Sequence, residues 1–354
     1  MKFGKQICAV LAAIIMLTAT ACSVDLSSTA EESRTVMTVD GFEVPFEMYR
    51  YAAQMHLRDK LAAYSAAETD VVTNESGEPD ASALPEDDRL KIAEEVQKNS
   101  LDMIGNVYSL FTAAKEEGID PFGEMINSLT DMKMEEIRAT YENDREYLET
   151  IKQFHMTDSV YSVLTRYEIV STQLYELYVK NGKIDISDDA VIEYMNGDGC
   201  VRVKQILISF ERHSEEEAYA LAKEVADEVK TFTAEDGTVD ADKFDELTDK
   251  RGEDLFMFKN RDGYYLCRGY ADKAFETAAF GLEIGKASEP VRVTAGYSVM
   301  LRAPKDADYI EENIDTLSEA CLSGIYQSIL DEYSANAEIV TNEEFGKIDL
   351  YSMK

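Results

Sequence analysis

The folded part of the chain opens with two patterns of apolar residues that have different periods. Residues 36–39 and 42–44 alternate around the turn signal Asp40-Gly41, which predicts a β-hairpin. The next apolar residues recur every four positions and so share one face of a helix: Tyr49, Ala53, Leu57 and Leu61. The acidic, proline-containing segment 69–88 then predicts a loop.

Helical periodicity continues to about residue 198. The second long helix is predicted from a stripe that ends before Gly118 and consists of Ile92, Val96, Met103, Val107, Leu110 and Ala114. Two further helices are predicted over about 122–141 and 159–179. Ser187, followed by two aspartates, is a good N-cap for one more short helix. These segments predict an N-terminal helical domain over residues 36–198.

From residue 199 to 304 the purely helical spacing of apolar residues gives way to a mixture of strand-like and helical patterns. The β-branched, apolar run 201–210 is typical of a central strand, and residues 215–230 have the pattern of an amphipathic helix. The predicted order is a strand, two helices, the segment 262–266 without an assigned element, a helix and two closing strands, with the elements over 201–210, 215–230, 244–247, 275–280, 291–293 and 297–301. This order predicts an α+β domain in which helices surround an antiparallel sheet.

Beyond residue 304 the helical period returns. Its apolar stripe consists of Ile310, Ile314, Leu317, Cys321 and Ile325. Because so wide a stripe would not stay exposed, we expect residues 305–354 to pack back on the N-terminal helices, with a freestanding tail helix as the alternative. The α+β domain is therefore predicted to be inserted in a discontinuous all-α domain.

The first 35 residues have the order of a secretory signal followed by a spacer. Two lysines precede the uncharged apolar run 7–17, and small residues then lead to Cys22. This order resembles a bacterial lipoprotein signal over residues 1–21, with Cys22 as the lipidated first residue and 22–35 as a flexible tether. A non-lipidated signal or a buried first helix is the alternative. No later run reaches the roughly 20 apolar residues of a transmembrane helix.

Net charge, cysteine count and sequence motifs limit which partners and which kinds of chemistry we predict for the chain. The net charge of −35 repels nucleic acid and anionic polymers, although solubility alone also explains such a surface. Three scattered cysteines, Cys200, Cys267 and Cys321, do not make a disulfide framework, yet the sequence leaves a bridge between the first two open. The chain has no CxxC, GxSxG, P-loop or GxGxxG motif, and we predict neither a metal nor a cofactor.

Residues 201–304 resemble the parvulin-type (PpiC) peptidyl-prolyl isomerases. The segment AFETAAFGLEIGKASEPVRVTAGYSVMLRAP is similar to that family's closing elements, and VRVKQILIS is similar to its opening strand. With its helical flanks and lipoprotein-type signal, the whole chain is similar to extracytoplasmic foldase lipoproteins of the PrsA and SurA kind. The resemblance implies a cofactor-free site that grips a proline ring and favours the twisted amide.

The resemblance also assigns individual residues. The acidic or thiol position of the site falls on Asp254, and the phenylalanine of the proline slot falls on Phe275, so both match the family. The slot's methionine position holds Ala271, and Tyr270 beside it is a candidate to fill the space. The alternative interpretations are that Asp254 is a cap carboxylate and that Phe275 is ordinary core.

At the two positions where the family has histidine, this chain has other residues. These positions hold Gln205 and Ser298, while the chain's three histidines, His56, His155 and His213, lie elsewhere. A polar network that lacks members is worth much less than an intact one, so we expect weak or absent isomerisation. Another protonatable side chain in the vacated histidine positions would count against this expectation.

These observations favour a membrane-tethered, extracytoplasmic folding factor. Its helical domain would hold unfolded or partly folded secreted polypeptides, and its isomerase-like domain would add a binding surface. One alternative is an active prolyl isomerase that uses Asp254, Gln205 and Phe275. A second is a dedicated assembly partner for one protein of the cell envelope. The sequence makes no prediction of oligomeric state.

Overall fold

The structure, a computed structural model, describes residues 28–67, 81–269 and 271–353. Contacts divide the chain into two compact units, with unit 2 spanning Asn181–Ile329 and unit 1 formed by the residues on either side of it. The predicted signal peptide, Cys22 and Tyr270 lie outside the described residues. Within those residues, no helix combines the length and the apolar character needed to cross a membrane.

Unit 1 opens with the predicted hairpin. Strand β1 (Thr35–Val39) pairs antiparallel with β2 (Phe42–Pro45), and Asp40 and Gly41 both have positive φ in the turn between them. Helices follow, as α1 Phe46–Ala67, α2 Glu86–Glu116, α3 Glu124–Arg138, α4 Asp144–Lys152 and α5 Asp158–Lys180.

The apolar stripes predicted for the first helices form the core of unit 1. All four stripe residues of α1 are buried, and most of the predicted stripe of α2 is buried with them. Helix α2 begins directly after Pro85, so it includes the last residues of the segment predicted as a loop. The single helix predicted over 122–141 ends at Arg138, because Asn143 caps a new helix by accepting a hydrogen bond from the Glu146 amide.

Unit 2 is built around a four-stranded antiparallel sheet. Its elements are α6 Asp188–Asn196, β3 Cys200–Ser209, α7 Glu215–Lys230, α8 Ala241–Arg251, α9 Leu255–Lys259, β4 Tyr264–Cys267, α10 Lys273–Gly281, β5 Val291–Val293 and β6 Gly296–Ala303. The strand order is β4-β3-β6-β5, so the predicted central strand β3 is central. Helices α7 and α8 cover one face of the sheet, and α10 covers the other. This is the predicted α+β architecture, inserted in a helical unit.

A disulfide settles the question that the sequence left open. Cys200 and Cys267 face each other in the register of β3 and β4 and are bonded. The bridge joins residues 67 positions apart and fixes the edge strand β4 to the centre of the sheet. Cys321 is buried as a free thiol.

The C-terminal region is divided between the units. It contains α11 Ala307–Glu312, α12 Ile314–Asn336 and β7 Ile339–Thr341, and the boundary between units falls within α12, after Ile329. This differs from the prediction that all of 305–354 packs on the N-terminal helices. The Cys321 thiol lies against the Val191 carbonyl of α6, which anchors the first part of α12 in unit 2. Helix α6, predicted with the N-terminal helices, likewise belongs to unit 2.

The last residues complete unit 1. Strand β7 pairs antiparallel with β1, which makes a three-stranded sheet in the order β2-β1-β7. The Tyr333 hydroxyl donates a hydrogen bond to Glu116 at the end of α2. Unit 1 is therefore made from the two ends of the chain.

Candidate functional site

The residues assigned by the family resemblance meet on the α10 face of the unit 2 sheet. Side chains alternate along β3, so Val201, Val203 and Gln205 share this face, while Ile206 and Ile208 pack under α7 and α8. On the neighbouring strand β6, Ser298 lies one diagonal step from Gln205, because the register pairs Ser298 with residue 207. The sheet therefore brings together two residues that are 93 positions apart.

A continuous chain of hydrogen bonds links these side chains to Asp254. The Ser298 hydroxyl donates to Gln205 Oε1 at 2.8 Å, and Gln205 Nε2 donates to Asp254 Oδ2 at 2.8 Å. The Tyr264 hydroxyl donates to the same carboxylate oxygen at 2.6 Å. We call Ser298, Gln205, Asp254 and Tyr264 the site network. Ser298 and Gln205 are buried, so their hydrogen bonds satisfy groups that water does not reach.

Asp254 has a second role, as the N-cap of helix α9. Its Oδ1 accepts a hydrogen bond from the Phe256 amide at 2.9 Å and caps helix α9. The cap carboxylate anticipated as the alternative interpretation is therefore present, and it is also a member of the site network. Both carboxylate oxygens are engaged within the protein.

Tyr264 is the member that sequence reasoning missed. Burial, followed by the hydrogen bond to Asp254, raises the pKa of the Tyr264 phenol, so the group stays protonated at neutral pH and acts as a donor. It lies on the edge strand β4, outside the two vacated histidine positions. The tyrosine pair 264–265 gave no sign of this role, because the register of β4 decides which ring faces the site.

Phe275 lies at the start of α10 and is part of the core. It is 8% exposed and packs with Val201, Val203, Leu266 and Met300 of the sheet. Its ring meets the Tyr264 ring edge-on, with centroids 6.1 Å apart. Ala271 is half-buried against the same cluster. The assignment of these residues to a proline slot stays a prediction.

A short apolar surface lies beside the site network. Helix α9 exposes Leu255, Phe256 and Phe258, which are 67%, 43% and 38% accessible. The Phe256 ring stacks on Tyr264 with centroids 4.4 Å apart, so this surface continues directly into the network. We call Leu255, Phe256 and Phe258 the α9 patch. Helix α9 was not predicted, because five residues are too few to show a helical period.

His213 pairs with Glu253, the residue that precedes Asp254 in the sequence. His213 Nε2 lies 2.9 Å from Glu253 Oε1, and Glu253 Oε2 accepts a hydrogen bond from the Ser209 amide at 2.7 Å. Although burial opposes it, hydrogen bonds from Ser209 and His213 lower the pKa of Glu253. This pair braces the loop after β3. Among the described residues, no group of three or more His, Cys, Asp or Glu side chains is arranged to hold a metal ion.

The family comparison agrees with the fold of unit 2. Residues 205–303 match the family described as Rotamase, PPIC-type PPIASE domain. Unit 2 contains a parvulin-type domain. The match begins at Gln205 and ends at Ala303, so it spans the parvulin-type domain from the middle of β3 to the end of β6.

Two of the following similarities extend beyond the parvulin-type domain, and the third covers about one domain. The chain is 26% identical over 262 residues to the foldase protein PrsA of Staphylococcus aureus strain Newman, covering 69% of this chain and 76% of that protein. A crystal structure of the peptidylprolyl isomerase PrsA from Bacillus anthracis matches 71% of this chain and 95% of its own, at 19% identity and a TM-score of 0.27. The parvulin NmPin of Nitrosopumilus maritimus matches 30% of this chain and 96% of its own, at 25% identity and a TM-score of 0.22.

Proposed function

We propose that this protein is a membrane-tethered, extracytoplasmic folding factor that binds unfolded secreted polypeptides, and that its parvulin-type domain binds clients with little or no isomerase activity. The observation that carries the proposal is the closed site network. Its polar groups satisfy one another, and none of its four side chains is a histidine.

A closed network is poorly suited to catalysing amide rotation. The barrier to rotation is about 18–20 kcal/mol, and a catalyst lowers it by offering a preorganised polar group to the twisted amide. Here Gln205 uses both its carbonyl and its amide inside the network, and Asp254 uses both carboxylate oxygens. Freeing the Gln205 carbonyl for a substrate would leave the buried Ser298 hydroxyl unsatisfied, at a cost of about 1–3 kcal/mol.

The α9 patch supplies a surface that a client can contact without catalysis. Leu255 and Phe258 are exposed, and Phe256 joins them to the aromatic ring of Tyr264. Exposed apolar side chains of this kind are typical of protein interaction sites. The similarity to the S. aureus foldase protein PrsA supports a client-binding role for this chain as well.

Two features support a location outside the cytoplasm. A disulfide between Cys200 and Cys267 is typical of proteins in oxidising compartments. The N-terminal order of basic residues, apolar run and small residues before Cys22 is that of a lipoprotein signal. Together they favour a chain that is exported, tethered by lipid on Cys22 and available to secreted polypeptides. The charge of −35 argues against nucleic acid as a partner.

Tyr264 favours one alternative, an active isomerase. Its protonated phenol is a preorganised donor next to Phe275, and a substrate that displaced Asp254 from it would gain a hydrogen bond. In that case Asp254, Gln205 and Phe275 would act with Tyr264 on X-Pro bonds. The alternative predicts measurable turnover, which the binding proposal does not.

Two assays on the purified chain without its predicted signal distinguish these functions. We expect suppression of the aggregation of an unfolded client, and weakened suppression in a Leu255→Ser/Phe258→Ser variant. The matched control is Ile186→Ser/Ile284→Ser, because both isoleucines are exposed apolar residues of the same unit, outside the α9 patch. In a cis/trans exchange assay on an X-Pro peptide, we expect little acceleration. Rapid exchange that Tyr264→Phe abolishes, in a variant that stays folded, would instead establish the isomerase.

A further inference from the structure

The outer face of helix α3 in unit 1 is apolar and exposed. Met125, Leu129 and Met132 follow one another at helical spacing and are 60%, 36% and 57% accessible. Ile126, Thr130 and Met134 occupy the opposite face of α3 and are buried. The helix therefore has two apolar faces, of which the core of unit 1 uses one. We call Met125, Leu129 and Met132 the α3 stripe.

Phe122 extends the α3 stripe at its start. Its ring is 44% exposed, yet it is fixed by edge-on contact with Phe111, with centroids 5.5 Å apart. A rigid aromatic ring followed by flexible methionines gives one anchor and two adaptable contacts. Such a surface suits partners that differ in shape.

Carboxylates run alongside the α3 stripe. Glu124, Asp131 and Glu135 line a shallow groove of about 530 Å³ that also includes Met132. Within the part of the chain that the structure describes, none of these three carboxylates forms an ion pair. From residue 116 to 136 the sequence contains seven acidic residues and one lysine.

The nearby cations neutralise the charge of this groove only in part. Lys133 is paired with Glu136 at 3.0 Å. Arg166 lies over the Phe122 ring, and its Nη1 donates 2.7 Å hydrogen bonds to the Pro121 carbonyl and to Asn127 Oδ1. Arg166 also interacts electrostatically with Asp131, so Glu124 and Glu135 carry the groove's remaining negative charge, which is exposed to solvent.

We propose that the α3 stripe and its carboxylates bind an unfolded polypeptide segment in which lysine or arginine residues are interleaved with apolar ones. The proposal rests on the folding-factor function and deepens it by naming the chemistry of the client. Apolar side chains would cover Met125, Leu129 and Met132, while the cations would pair with Glu124, Asp131 and Glu135. A second copy of this chain fits less well, because a symmetric contact would place the same carboxylates opposite one another.

Binding to two matched peptides tests the proposal. One fluorescent peptide carries lysines between leucines, and the other carries glutamates at the same positions. Anisotropy titrations with the full chain should show that the lysine peptide binds at least tenfold more tightly near 50 mM salt, with the difference shrinking by about 500 mM because salt screens exposed charges. Equal affinities for the two peptides would overturn the proposal.

Two sets of substitutions locate the binding. Glu124→Gln/Asp131→Asn/Glu135→Gln should weaken binding of the lysine peptide about five- to tenfold. The control Glu94→Gln/Glu332→Gln/Glu343→Gln removes the same charge from exposed positions of unit 1 and should leave binding unchanged. An equal loss of affinity for the lysine peptide in both variants would show that binding depends only on the net charge of the protein. That result would overturn the proposal.

The apolar part of the surface has its own test. Met125→Ser/Met132→Ser should weaken binding of the lysine peptide while the chain keeps its oligomeric state in light scattering. If the substitution instead converted a dimer to a monomer, the α3 stripe would be a self-association surface and the proposal would fail. An aggregation-suppression assay separates failure of this inference from failure of the folding-factor function. Suppression that continues without any peptide preference would remove this inference and leave the folding-factor function standing.

Discussion

At the scale of single residues, Gln205 explains how the site holds together without imidazoles. An amide has one acceptor and one donor group at fixed positions, so Gln205 can join Ser298 to Asp254 at the same time. A histidine could also join two partners, but it gains and loses a proton near neutral pH, and glutamine does not. We therefore expect the site network to keep the same hydrogen bonds across the neutral range.

The hydroxyl of Tyr264 gives the first prediction. Tyr264→Phe removes one donor from Asp254 Oδ2 and should lower the free energy of unfolding of unit 2 by about 1 kcal/mol, the usual net value of such a bond. Urea denaturation followed by circular dichroism measures the change. Tyr219→Phe is the control, because its ring is 47% exposed and no described residue bonds its hydroxyl. Equal stabilities of wild type and Tyr264→Phe would mean that the bond contributes nothing.

The family pattern predicted which residues lie close together, while their roles in the site stay predictions, and strand register was not predictable. Asp254, Gln205 and Ser298 were brought to one site by resemblance, and the structure places them in hydrogen-bond contact. Tyr264 was missed because its neighbour Tyr265 has the same chemistry and faces the other side of the sheet, where it stacks on Tyr309. Local sequence does not tell which of the two tyrosines points inward.

At the scale of elements, caps made the boundaries predictable. Helix α7 begins at Glu215 as predicted, because Ser214 and Glu217 form a reciprocal capping box. Helices α4 and α9 were not predicted separately, since nine and five residues show too little periodicity. Helix α10 begins two residues before its predicted start at 275, because Asp272 accepts hydrogen bonds from the Ala274 and Phe275 amides.

The cap of α10 gives the second prediction. Asp272→Ala should destabilise unit 2 by about 1 kcal/mol, because it leaves amides at the start of α10 unsatisfied. Asp272→Asn should cost less, since asparagine caps almost as well. Thermal unfolding of the two variants measures the difference. Alanine and asparagine variants of equal stability would show that the cap has no energetic role.

The pH dependence of this cap follows from its hydrogen bonds. Although partial burial opposes it, the bonds from Thr294, Phe275 and Ala274 lower the pKa of Asp272. A lowered folded-state pKa means that the stabilisation is present above the unfolded value of about 3.9 and is lost as the pH falls through the folded value. The gap in stability between wild type and Asp272→Asn should therefore close below about pH 4.

The disulfide between β3 and β4 gives the third prediction. Opening a loop of 67 residues should destabilise unit 2 by about 2–4 kcal/mol. Urea denaturation with and without dithiothreitol measures the loss. In a Cys200→Ser/Cys267→Ser variant, dithiothreitol should have no further effect, which controls for reduction elsewhere. A reductant effect of the same size in that variant would place the sensitivity outside this bridge.

At the scale of the whole molecule, the two-unit organisation was predictable and the exact division was not. The change from helical to strand periodicity near residue 199 marked the inserted domain. The apolar stripe around Cys321 showed that α12 has a buried face, but a stripe does not reveal what covers it. The structure assigns the first part of α12 to unit 2 and its end to unit 1.

The proposed tether gives the fourth prediction. Cys22→Ser removes the thiol that would carry lipid and should move the protein from the membrane fraction to the soluble fraction of the exporting cell. Detergent phase partitioning followed by immunoblotting measures the shift. Cys321→Ser is the control, because that thiol is buried within the folded chain. Unchanged partitioning of Cys22→Ser would contradict a lipid anchor at this position.

The pairing of β7 with β1 constrains the order in which the polypeptide matures. Its partners Val39 and Ile339 are 300 positions apart, so in a chain exported as proposed the small sheet of unit 1 stays unfinished until residue 339 has crossed the membrane. Unit 2 is contiguous and can close beforehand, with its disulfide formed inside the segment already exported. A chain truncated before residue 339 would thus combine a mature parvulin-type domain with a unit 1 whose small sheet lacks β7.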